Sequence, residues 1–278
     1  MKSAITISLV PEALRGPFVF HCPGTTGLSL AAACAQAAAL GFDAVEIFAA
    51  DAASLPRAEL REALARDGLA VAAIGTGAGW VKHGLSLTDS DAGRRAAAVE
   101  FVEGIIELAA DFQAPAIIGS MQGRSEPACD RTAALGHLSE SLRRLSQRAA
   151  ARGQPLLYEP LNRYETDLFN RQADAAAFLE AESLSEVKLL CDLFHMNIEE
   201  VDPAAAIVAL GPRVGHVHWA DSNRRAMGLG HTPPEPIVAA LAEIGFGGYL
   251  SAEVFPLPTA EAAARASIES FRRHVRHA

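Results

Sequence analysis

Eight short runs rich in Val, Ile and Leu recur along the chain, separated by longer stretches of Ala, Leu, Arg and Glu whose apolar residues are spaced three and four apart. The runs fall at 4–9, 44–48, 70–75, 116–120, 155–159, 187–192, 214–220 and 249–254. Most lack polar alternation, so they read as strands buried on both faces. The intervening stretches, among them 28–40, 93–111, 132–152 and 260–274, carry the period of an amphipathic helix. Gly41, Gly68, Gly153 and the run Gly245-Phe246-Gly247-Gly248 follow helical stretches, where left-handed caps belong. A strand–loop–helix unit repeated eight times implies a parallel sheet with helical crossovers. Eight units without a break in composition favour an α/β fold closed into one (β/α)8 TIM barrel, a single domain over residues 1–278, above an open doubly wound sheet.

A chain of 278 residues, half of them hydrophobic, can bury a large aliphatic core. Its net charge of −9 argues against a phosphate backbone as main partner, because nucleic-acid binding needs a basic patch. Cys22, Cys34, Cys129 and Cys191 have no paired spacing, so neither a zinc ribbon nor a disulfide framework is expected, and a reducing cytoplasm fits. The apolar start of the chain is too short for a signal segment, and no stretch reaches the ~20 apolar residues of a membrane span.

In such a barrel, chemistry gathers where strands end at their C-terminal side. Strand five ends at Glu159, strand six in Asp192-Leu193-Phe194-His195, strand seven holds His216 and His218, and strand eight ends in Ser251-Ala252-Glu253. Each has a bland explanation taken singly. Glu159 could be solvated, Asp192 could cap a turn, and an inward histidine could be a hydrogen-bonded core residue. Glu253 is harder to excuse, since an ionised carboxylate among apolar neighbours requires a cation or donors. One metal site explains all four strand ends together, with a hard, oxygen-rich donor set suited to Mn²⁺, Mg²⁺ or Co²⁺.

Three segments carry a resemblance: Glu159-Pro160-Leu161-Asn162-Arg163-Tyr164-Glu165, then 192–200 beginning Asp192-Leu193-Phe194-His195, then His216-Val217-His218-Trp219-Ala220-Asp221-Ser222-Asn223-Arg224. Together they resemble the xylose-isomerase-like sugar isomerase/epimerase superfamily, and within it the ketose 3-epimerases typified by D-tagatose 3-epimerase and D-psicose 3-epimerase. The resemblance implies that Glu159, Asp192, His218 and Glu253 hold one divalent metal, usually manganese, with Mg²⁺, Co²⁺ or Zn²⁺ as alternatives. It implies substrate contacts from Glu165, His195 and Arg224. It also suggests a pocket-wall place for Glu46, which could equally be a strand-end ion-pair partner. The implied reaction inverts C3 of a ketose or keto-sugar acid through an enediolate, with Glu159 and Glu253 as base and acid. An aldose–ketose isomerase, acting on hydroxypyruvate or an inositol-derived keto sugar, would use the same site.

Other segments weigh less. Gly75-Thr76-Gly77-Ala78-Gly79 lacks the G-x-G-x-x-G spacing of a dinucleotide loop, and no helix is expected immediately after it. The loop 119–124 is a pocket wall or a plain connection, and His21, Trp80 and His83 are candidates for the far end of the pocket. Asn162 and Arg163 are expected only to shape their loop. The run 225–234 departs from the family pattern, so that loop is expected to take its own shape. An endonuclease IV-like phosphodiesterase would need further histidines at the ends of strands three and four, where Gly75-Thr76-Gly77 and Gly119-Ser120-Met121 stand. A non-catalytic sugar-binding barrel would have no use for both Glu159 and Glu253. The partner expected is a small sugar, with no nucleic acid and no membrane, and the Ala-rich helical faces suit packing into a dimer or tetramer.

Overall fold

A computed structural model describes residues 1–22 and 27–275, and the barrel is closed. In chain order the elements are β1 (Lys2–Ser8), β2 (Phe20–His21), α1 (Leu30–Leu40), β3 (Ala44–Phe48), α2 (Arg57–Asp67), β4 (Ala70–Gly75), α3 (Ala78–His83), α4 (Ala92–Ala110), β5 (Ala116–Ile118), α5 (Arg131–Ala151), β6 (Leu156–Tyr158), α6 (Gln172–Ala181), β7 (Val187–Asp192), α7 (Leu193–Glu199), α8 (Pro203–Leu210), β8 (Val214–His218), α9 (Pro234–Glu243), β9 (Tyr249–Ala252) and α10 (Ala260–His274). β1, β3 and the strands through β9 pair in parallel in sequence order, and β1 pairs with β9 to close the ring.

Every strand expected from sequence is present. Besides β5, four of them end one or two residues before the expected end: β1 at Ser8, β6 at Tyr158, ahead of Glu159, β8 at His218, and β9 at Ala252, ahead of Glu253. The expected strand at 116–120 also ends early, at Ile118, and residues Ser120–Gln122 form a 3-10 turn. β2, two residues paired to the far end of β1, is too short to leave a periodic signal. One expectation is overturned: a helix does follow the glycine-rich stretch, since α3 starts at Ala78. Small residues let the chain turn tightly there; a side chain on Gly77 would meet the Phe48 ring at 2.9 Å.

The main core lies between the barrel and its helices. Val45 and Ile47 of β3 point into it, whereas Ala44 joins Ala4 and Ala72 in a small cluster on the opposite face. Successive strand side chains alternate, so Glu46 shares the inner face with Ala44. Ala73, Ile117, Leu157 and Leu190 form a second interior cluster. The four cysteines are buried and unpaired. Among the described residues no helix is long and apolar enough to cross a membrane.

Candidate metal and active site

Glu159, Asp192, His218 and Glu253 each offer a ligand atom, and these atoms lie within 4.8 Å of one another. His218 Nδ1 is the common neighbour: Asp192 Oδ2 is 3.2 Å away, Glu159 Oε1 3.4 Å and Glu253 Oε2 3.5 Å. The four residues come from the ends of β6, β7, β8 and β9, as the strand ends foretold.

Local irregularities make the convergence possible. β8 carries an extra residue, Gly215, between the pairs Val214–Leu189 and His216–Leu190, which brings His218 opposite Asp192. Only glycine fits that bulge, because a Cβ would come within 2.6 Å of Lys188 Cβ and 2.7 Å of Leu157 Cδ2. Gly119 is similarly constrained: a Cβ there would lie 2.5 Å from Glu159 Oε2. The buried Gln122 side chain donates to the carbonyls of Gly119 and Glu159 at 3.0 and 2.9 Å, and the Tyr158 hydroxyl donates to its Oε1 at 2.5 Å, fixing these two strand ends together.

Asp192 serves two ends at once. Its Oδ1 accepts from the Phe194 amide at 2.8 Å, capping α7 as the bland explanation expects, and its Oδ2 faces His218 in the candidate metal cluster. α7 then turns His195 back over the site, with Nε2 3.7 Å from Asp192 Oδ2 and 3.9 Å from Glu159 Oε1. The other ring nitrogen, Nδ1, is met by the Asn162 amide at 3.2 Å and the Asn162 side-chain nitrogen at 2.7 Å. Asn162 therefore does more than shape its loop: it orients the His195 ring, and its Nδ2 also donates to Glu165 Oε1 at 3.0 Å. Arg163 points outward onto Glu199, as a loop-shaping residue should.

Arg224 enters from the loop after β8. Its guanidinium lies against Glu253, 3.3 Å from Asp192 Oδ2 and 3.2 Å from His195 Nε2, and packs over the Phe194 ring at 4.7 Å. That loop is folded around buried Asp221, whose two oxygens accept backbone N–H groups of Ser222, Thr232, Gly228 and Gly230 at 2.6–3.0 Å. Arg224 adopts a left-handed φ of 56°, a strained backbone state that the Asp221 clamp holds in place.

Burial sets the protonation pattern. It raises the Glu159 carboxyl to about 8, with Glu253 and Asp192 adding repulsion against the pull of His218. Glu253 is raised chiefly by burial too. Burial would raise Asp192 as well, but Arg224 and the imidazoles outweigh it and hold the carboxylate well below its usual range. Burial pushes His195 down to about 3, so its ring is neutral at ordinary pH. His218 goes the other way: Glu253, Glu46 and its hydrogen-bonded carboxylates override burial and raise it.

A cavity of about 410 Å³ opens above these groups, with Glu165, His195 and Arg224 on its wall. Its outer end is lined by Phe18, Phe48 and Trp80, with Gly119 and Ser120 on one side, so the loop 119–124 does supply pocket wall. Of the far-end candidates, Trp80 lines the cavity. His83 instead packs near Phe101, and His21 is buried in β2 with its ring edge-on to Phe18. Glu46 also reaches the cavity, but its carboxylate is occupied by two imidazoles, His216 Nε2 at 2.7 Å and His218 Nε2 at 3.1 Å; the ion-pair side of its expectation is what the geometry shows. The ends of β4 and β5 offer Gly75, Thr76, Gly77 and Gly119 to the cavity and no imidazole.

The sequence profile of the xylose isomerase-like TIM barrel family matches residues 34–274. The chain belongs to that family. A D-psicose 3-epimerase of Agrobacterium fabrum is 32% identical over 227 residues, 79% of this chain and 77% of that one. A 3-dehydro-D-guloside 4-epimerase of Escherichia coli is 32% identical over 222 residues, covering 76% and 81%. The crystal structure of D-psicose 3-epimerase with D-tagatose from Clostridium cellulolyticum H10 superposes with a TM-score of 0.80 at 23% identity, covering 99% of each chain, a likeness of fold. In this xylose isomerase-like barrel, three carboxylates and one imidazole converge from four strand ends. Such a donor set suits a hard divalent cation, and glycine at 119 keeps the space beside Glu159 open for its carboxylate.

Proposed function

We propose that this protein is a divalent-metal-dependent sugar epimerase that inverts the carbon beside a carbonyl, C3 of a ketose or keto-sugar acid. The observation that carries the proposal is the placement of the buried Glu159 and the partly buried Glu253, with carboxylate oxygens 3.4 and 3.5 Å from the same nitrogen, His218 Nδ1, in the wall of a cavity. Inversion needs one group to take a proton and another to return it from the other face, and two carboxyls poised together meet that need. Burial favours the protonated form of both, so either can hold the proton between transfers.

The named relatives support an epimerase, one acting at C3 of psicose and one at C4 of a 3-dehydro sugar, both next to a ketone. Glu159, Asp192, His218 and Glu253 would hold the cation, for which the oxygen-rich set favours Mn²⁺. Bound there, it would supply Lewis-acid polarisation of the substrate carbonyl, lowering the cost of an enediolate. The chain's own groups do the rest. Arg224 donates toward oxygens on which charge develops, and neutral His195, held by Asn162 through Nδ1, packs its Nε2 edge against Arg224 beside them. Glu165, half-exposed at the mouth and tethered by Asn162, is placed to accept a hydroxyl of the sugar.

The test is exchange in D₂O, followed by NMR across a panel of ketoses and 3-keto glycosides with Mn²⁺- or Mg²⁺-loaded protein. Deuterium entering at the carbon beside the ketone, together with the inverted epimer, is the expected result. Label confined to C1 of a ketose would establish an aldose–ketose isomerase instead, and no exchange on any substrate would refute both.

A further inference from the structure

Glu46 projects from β3 across the barrel interior to β8 and contacts two imidazoles there, His216 and His218. All three side chains are buried, with Glu46 4% and each histidine 1% exposed. The two histidines lie two residues apart on one strand, so they share the inner face, and their rings stand nearly perpendicular with centroids 5.6 Å apart. An ionised carboxylate only accepts hydrogen bonds. Both contacts, at 2.7 and 3.1 Å, therefore put a proton on Nε2 of each ring.

For His218 this fixes the chemistry of the opposite edge. With Nε2–H engaged by Glu46, the other ring nitrogen, Nδ1, is the atom that faces Glu159, Asp192 and Glu253, and a cation bound there would take the place of the proton that Nδ1 shares with those carboxylates. We propose that Glu46 and His216 are positioning residues that hold the His218 ring as a one-sided ligand, tying down its far nitrogen so that Nδ1 is presented to a cation. The inference rests on the metal-dependent reading of the site. His216 extends the chain by one link, gripping the second oxygen of Glu46 so that the carboxylate cannot rotate away from His218.

The strands are adjusted at both ends of this connection. The pairing of β3 with β4 slips at Glu46, where Val45–Val71 is followed by Glu46–Ala73. The pairing of β8 with β7 slips at Gly215, immediately before His216. Bulges re-aim side chains; the extra residue is Gly215 on β8 itself, next to His216, and Ala72 on β4, beside Glu46. Glu46, His216 and His218 could themselves make a second cation site. Their ligand atoms are already paired with one another, so the geometry points to one cation per chain, bound on the Nδ1 side.

Glu46→Gln and His216→Asn test the role, with Mn²⁺ affinity and stoichiometry measured by electron paramagnetic resonance of the free ion and by elemental analysis. Wild type is expected to bind one ion per chain. Glu46→Gln should weaken binding by about 10–100-fold, the usual consequence of removing the partner of a ligating histidine, while circular dichroism shows a folded barrel. His216→Asn should weaken it less. In ¹⁵N NMR spectra of wild type loaded with diamagnetic Zn²⁺ or Mg²⁺, His218 should carry its proton on Nε2, a readout independent of turnover and available even if a variant does not fold. Unchanged affinity in folded Glu46→Gln, two ions per chain, or a proton on Nδ1 would each overturn the inference while leaving the epimerase proposal standing. Failure of wild type to bind any of the three cations would bring down both.

Discussion

The Arg224 guanidinium and the Glu253 carboxylate are in direct contact inside the barrel mouth, with Asp192 Oδ2 only 3.3 Å from the same Nη2. A fixed positive charge thus stands among carboxyl groups, and it is held from outside the candidate metal cluster by the Asp221 loop. Removing it takes away a donor aimed at the developing charge. For Arg224→Ala we expect kcat to fall by about 10²–10³-fold. Arg224→Lys should restore only part of the loss, since an ammonium cannot contact Glu253, Asp192 and His195 with a rigid fork. Steady-state kinetics on the best substrate of the panel would show this, and a lysine variant at full activity would sink it.

Glu159→Gln and Glu253→Gln keep size and shape while removing the proton-carrying group. Each should lower the epimerisation rate by at least ~10²-fold. The two should also part company in isotope exchange: the variant that keeps the base for a given epimer still washes out its proton without inverting it. Equal retention of inversion in both variants would contradict the two-carboxyl mechanism.

Metal affinity should depend on pH. The Glu159 carboxyl is raised to about 8, so below that pH a proton occupies a ligand that the cation must displace, and His218, raised by its carboxylate neighbours, adds to the competition. Binding should therefore tighten by about tenfold or more per unit as pH rises from 6 toward 8, then flatten for the Glu159 component. Calorimetry in buffers of different ionisation heats would count the protons released. A flat profile between pH 6 and 8 would be incompatible with this ordering of charges.

Asp221 makes no contact with the ligand cluster, yet four backbone N–H groups end on it. Asparagine can satisfy them from one oxygen only, and its amide would face donors on the other side. Asp221→Asn should cost about 1–3 kcal/mol in thermal unfolding. It should also lower kcat through displacement of Arg224, with little change in metal affinity. An unaltered kcat would show that Arg224 keeps its place without the clamp.

The barrel was legible because eight apolar runs and glycine punctuation repeat with one rhythm, and the cluster of Glu159, Asp192, His218 and Glu253 was legible because strand ends are where side chains meet the pocket. Glu253 stood out through its apolar neighbours alone. The supporting residues did not announce themselves. Asn162 is an ordinary loop amide in sequence, and its bond to His195 joins positions 33 residues apart. The Glu46–His216 contact spans 170 residues and depends on a bulge at Gly215, an extra residue that leaves no mark in the apolar pattern. α3 was missed because six residues starting after two glycines and a threonine carry too little periodicity to register.

Closure of the barrel through β1 and β9 has a consequence for synthesis. β1 has a free edge until Tyr249–Ala252 arrives to pair with it, and Glu253 follows directly on that strand. On the ribosome, where folding proceeds from the N-terminal side, Glu159, Asp192 and His218 emerge well before their fourth companion. The cluster of negative charge is therefore completed in the same event that seals the sheet, and a nascent chain cannot bring the four residues together before the ring of strands is closed.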